Sequence, residues 1–121
     1  MRQCSRAFLA AALLMTSFSS LAVAQVPGTI FTANPAALSS CEAPREVSLS
    51  WDARASKAAD VEVLAAPSAT GEAQLFAAVP GTVGTANTGP WTRAGSLFTL
   101  RDQKTKAVLA TLTIGSLPCT R

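Results

Sequence analysis

The chain has 121 residues, 49% of them hydrophobic, and sets 10 lysines and arginines against 7 acidic residues, a length that suits a single domain. It contains no histidine and no tyrosine. That removes the usual general base near neutral pH, every Ser-His or Cys-His arrangement and the commonest ligand of zinc and copper, so neither enzyme activity nor a cofactor nor a metal site is expected.

Residues 1–24 read as a cleavable signal peptide. Arg2 and Arg6 precede an apolar run from Ala7 to Met15, and Ala22 and Ala24 supply the small residues of a cleavage site. The run is short of the roughly 20 residues that span a bilayer. Cys4 precedes it instead of standing at the cleavage point, so no integral membrane association or lipid anchor is expected in the mature form. The mature domain, residues 25–121, then holds 8 basic against 7 acidic side chains. Such a balance lacks the basic stripe that binds phosphates, and nucleic acid is not an expected partner. Arg101, Lys104 and Lys106 cluster around a turn and read as a solvated hairpin. The expected location is the periplasm or the extracellular medium.

Along the mature chain the punctuation is that of strands. Thr29 to Ala33 form a short run ended by Pro35, which breaks any ladder, and residues 34–44 read as a loop. EVSLSWDA alternates, with Val47, Leu49 and Trp51 on one face and Ser48, Ser50 and Asp52 on the other. ARASKAAD permits one helical turn. The adjacent Ser56 and Lys57 point apart in an extended segment and make a poor serine–lysine pair. In DVEVLAA, Val61, Val63 and Ala65 share a face. Asp60 and Glu62 take the other, which reads as a solvated strand face and not as a cation site. PSATGE is a turn, and QLFAAVP is a strand with Leu75 and Phe76 opposed. GTVGTANTGP allows at most a short edge strand. SLFTLRD puts Phe98 and Leu100 together, and AVLATLTIG places Val108, Ala110, Leu112 and Ile114 on one face. About seven short strands with frequent turns predict an all-β sandwich.

Cys41 and Cys119 are the cysteines of the mature domain, and an oxidising compartment makes one disulfide of them. In an immunoglobulin-like sandwich the connection after the first strand and the end of the last strand lie at one pole. Both cysteines belong there, within bonding range.

The pieces FTANP, LSWDA, VEVL, LFA, TGPWTRAGSLFTLRD and VLATLT resemble a bacterial immunoglobulin-like or fibronectin type III-like module, over about Ile30 to Ile114. The resemblance implies a sandwich of about seven strands and a non-catalytic accessory or interaction role. Such modules occur in exported proteins and beside glycan-handling domains.

The tryptophans remain. Trp51, in phase with Val47 and Leu49, is expected as the core anchor. Trp91 follows Gly89-Pro90 and is expected to cap one end of the core. Its other reading is an exposed platform for a sugar or a partner, with Pro90, Trp91 and Arg93 as a possible binding patch. The expected function is a monomeric, secreted interaction module recognising a protein or glycan. The alternative is an inhibitor of an exported enzyme such as a protease or lysozyme, acting through the glycine-rich stretch 81–89.

Overall fold

The computed structural model describes residues 25–119. The signal peptide expected over residues 1–24 lies outside the described residues, as do residues 120–121. The fold is an all-β sandwich.

Its first sheet has the order β1-β3-β6, built from β1 (Ile30–Asn34), β3 (Ser48–Asp52) and β6 (Val83–Asn87). Its second has the order β5-β4-β7-β8, from β4 (Val61–Ala66), β5 (Gln74–Val79), β7 (Leu97–Asp102) and β8 (Val108–Thr113). Two short strands, β2 (Ala37–Ser39) and β9 (Gly115–Leu117), pair in parallel. A single 3-10 turn, Arg54–Ser56, occupies the place where one helical turn is expected.

The alternation in β3 works as its sequence dictates. Val47, Leu49, Trp51 and Ala53 are buried, while Ser48 and Ser50 are exposed. Phe31 of β1 sits opposite Trp51 in the ladder, and Gly84 of β6 sits opposite it on the other side. The two rings meet edge to face with centroids 6.5 Å apart. On the far side the indole lies over bare backbone: a Cβ at Gly84 would come within 2.9 Å of Trp51 Cζ2. A mid-strand glycine weakens a strand in isolation. Here it makes room for the largest side chain of the core.

The opposing face is built in cross-strand rows. Val63, Leu100 and Ala110 form one, and Ala65, Phe98 and Leu112 the next. Phe98, Leu100, Val61, Val63 and Ala110 have no exposure. Burying each aliphatic or phenyl side chain of this kind contributes about 1.5–3 kcal/mol.

Several local expectations are corrected. Val108 does not share a face with Ala110. The β7–β8 register slips between Leu100 and Arg101, so Leu109 is an extra residue. Leu109 and Ala110 both turn inward, and Val108 is 47% exposed. Residues 34–44 are not wholly loop, since β2 lies among them. The last hydrophobic run divides into β8 and β9, on either side of the buried Ile114. The strand total among the described residues is therefore nine, two of them only three residues long.

The short pair explains the cysteines. Pro35 ends the β1 ladder, and the chain crosses to run beside β9 in the register Ala37–Gly115, Leu38–Ser116, Ser39–Leu117. Continuing that register by two residues places Cys41 opposite Cys119. They are joined in a disulfide with Cα atoms 5.5 Å apart, a covalent extension of the parallel ladder on the exposed rim.

Candidate functional site

The segment from Thr88 to Thr92 connects the first sheet to the second and is held at both ends. Thr88 and Thr92 are buried. The Thr92 hydroxyl donates to Thr88 Oγ1 at 2.8 Å, and the Thr88 hydroxyl donates in turn to the Gly89 carbonyl. Thr88 Oγ1 also accepts the Val47 N–H at 2.9 Å. Backbone bonds between Arg45 and Thr92 fasten the other limb. Three residues, Gly89, Pro90 and Trp91, thus stand on a closed base. A loop so bound loses little entropy when it meets a ligand.

Trp91 folds back over this base. A Cβ at Gly89 would lie 2.4 Å from its Nε1, so only glycine lets the ring pack down. The ring meets Phe76 nearly edge-on at 5.7 Å and Phe98 at 6.2 Å. It therefore covers the end of the core between β5 and β7, yet it remains 45% exposed. Capping and display are two faces of one ring.

The displayed face forms a wall of a cleft of about 570 Å3. Leu75 and Phe76 of β5, Pro67 and the end of β4 line it together with the ring. Glu72, Gln74 and Ser96 supply the polar groups. Ser96 is buried, and its Oγ accepts the Arg93 N–H at 3.0 Å. Glu72 and Gln74 are exposed and free to meet a ligand. Aromatic and apolar side chains with a few polar groups among them are the usual makings of a small recognition site.

Of the three residues expected in a binding patch, the structure places Trp91 in the cleft wall. Pro90 and Arg93 are exposed but do not line the cleft. Sequence reasoning missed Leu75, Phe76, Glu72 and Gln74, which come from a hairpin far from Trp91 in the chain. The available signal was that QLFAAV carries large apolar groups on both faces.

The stretch 81–89 is not a free loop, because β6 occupies Val83–Asn87 as an edge strand. The Asp60–Glu62 face is also corrected. β4 lies inside its sheet, and Glu62 is only 5% exposed. Arg101, directly opposite in the ladder, donates to Glu62 Oε2, and Lys106 Nζ approaches the same oxygen at 3.2 Å. Burial pushes the Glu62 carboxyl up, but the hydrogen bonds from Arg101 and Lys106, with their charge, outweigh it. The group is held below the ordinary carboxylate range. Asp60 turns elsewhere and accepts the Gly81 N–H at 2.7 Å, so the two carboxylates do not converge on a cation. Two of the three basic residues expected on a solvated hairpin are thus engaged with Glu62. Ser56 donates to the Ala53 carbonyl at 2.6 Å, as a turn residue would.

Comparison with protein-family models, with curated proteins and with solved structures gave no match. Among the described residues no helix is long and apolar enough to cross a membrane.

Proposed function

We propose that this protein is a secreted or periplasmic binding module, immunoglobulin-like and of fibronectin type III-like build, which recognises a protein or glycan partner over Trp91 and catalyses nothing itself. The build is supported by how the longer strands divide: β1, β3 and β6 form one sheet and β5, β4, β7 and β8 the other. Export is supported by the disulfide, since such bonds persist in oxidising compartments.

One observation carries the recognition: Trp91 is 45% exposed on a loop whose hydroxyls are bonded to one another and to Val47, the residue before β3. Tryptophan is enriched among residues that dominate interface energetics. A rigid mount makes its apolar face available at low ordering cost.

The test is a screen of glycan arrays and of envelope and medium proteins with the wild type and Trp91→Ala. Binding should appear with the wild type and fall at least about tenfold with the variant. Partners held equally by both proteins, or none at all, would count against the reading. No specific observation favours the inhibitor alternative, because residues 83–87 of the stretch assigned to it are strand.

A further inference from the structure

We infer that the partner is an extended peptide segment, added as a fifth strand on the free edge of β5, with an apolar side chain in the Trp91 cleft and a cationic one opposite Glu72. This rests on the reading of the Trp91 cleft as the binding site and names what enters it.

The first observation is the edge itself. Among the described residues β5 is bonded to β4 on one side and to nothing on the other. Every second residue of an edge strand directs its N–H and C=O outward, ready for another chain. Proteins blunt such edges with lysine, proline, inward charge or a β-bulge. QLFAAV has no charged residue and no proline, and its one irregularity is a bulge at Phe76, where the β4–β5 register shifts between Val63 and Leu64. The opposite flank is treated differently. The Leu109 carbonyl of β8 accepts the Val26 N–H at 2.9 Å, and beyond Ile114 the chain pairs with β2.

The second observation is where the cleft opens. Gln74, Leu75 and Phe76 are the first residues of β5 and also line the cleft. A strand laid along this edge sends alternate side chains to the same face, so one of them falls beside Trp91. Leu75, 59% exposed, supplies apolar contact. The third is charge. Glu72 is the only charged residue lining the cleft, which favours a lysine or arginine there. A glycan could stack on Trp91 but would leave the open backbone edge unused.

The test uses synthetic peptides of about nine residues, enough to run the length of β5. They alternate threonine and valine, with a central leucine and a lysine two positions on. Two further versions carry N-methyl groups on the odd or on the even amides, and another replaces lysine by glutamate. The parent peptide should shift Trp91 fluorescence, an effect lost in Trp91→Phe, and slow hydrogen exchange at β5 amides. One N-methyl series should bind about tenfold more weakly while the other binds normally, because only one set of amides can face β5. The glutamate peptide should bind more weakly than the lysine peptide, and Glu72→Gln should remove that difference. Equal binding by both N-methyl series, or unchanged β5 exchange, would overturn the inference. If peptides leave Trp91 unmoved while soluble chito- or cello-oligosaccharides shift it, the inference falls and the Trp91 site stands. If neither shifts it, both fall.

Discussion

Replacing Cys41 and Cys119 together by serine tests the architecture most directly. The bridge joins residues 78 apart in sequence, so it restricts most of the unfolded chain. In the chain-entropy treatment a loop of that size contributes about 4–5 kcal/mol. The native side should change little, because the bridge lies on the exposed rim and the β2–β9 ladder beside it keeps its own backbone pairing. Against a total stability of roughly 5–15 kcal/mol for a domain, the loss leaves a marginal protein. The melting temperature should fall by roughly 20–30 °C. The assay is urea unfolding of the oxidised wild type and the double serine variant, followed by tryptophan fluorescence and circular dichroism. The unbridged unfolded chain exposes more surface, so the denaturant slope should rise as the midpoint falls. A loss below about 1 kcal/mol with an unchanged slope would refute the reasoning.

Three other outcomes are expected. Gly84→Ala puts a methyl group 2.9 Å from Trp51 and should cost about 1–3 kcal/mol by overpacking, read as a lower urea midpoint. Glu62 is charged more readily in the folded state than in the unfolded chain. Its contribution is therefore present above the ordinary carboxylate range and is lost as pH falls through its depressed folded value. Urea midpoints measured from about pH 6 down to pH 3 should drop in the lower part of that range, and Glu62→Gln should flatten that part of the profile. Gly89→Ala cannot accommodate the ring as packed, since the new Cβ would meet Trp91 Nε1 at 2.4 Å. Its Trp91 emission should shift to longer wavelength and partner binding should fall, while the circular dichroism of the sandwich is retained.

The places where sequence reasoning failed share a cause. Period two predicts faces only while the ladder is regular, and the slip at Leu109 reverses the phase for Val108. Local reading also treats a carboxylate on the non-core face as solvated. Glu62 is covered because β4 is a central strand and its neighbour carries Arg101, and neither fact is visible within DVEVLAA. The cleft was illegible for the same reason. Trp91 could be singled out in the chain, but Phe76, Leu75, Glu72 and Gln74 join it only when β5 and the Thr88–Thr92 loop meet.

What the amino-acid order determined alone was local: the alternation that buries Val47, Leu49 and Trp51, the turns, and the two cysteines available to pair. Those features depend on neighbours a few residues away and on composition. Tertiary structure alone decided that β4 is central and β5 an edge, where registers slip, and which distant side chains gather beside Trp91. Those outcomes depend on how two twisted sheets close on one another, and contacts of that kind leave little trace in any short window of sequence.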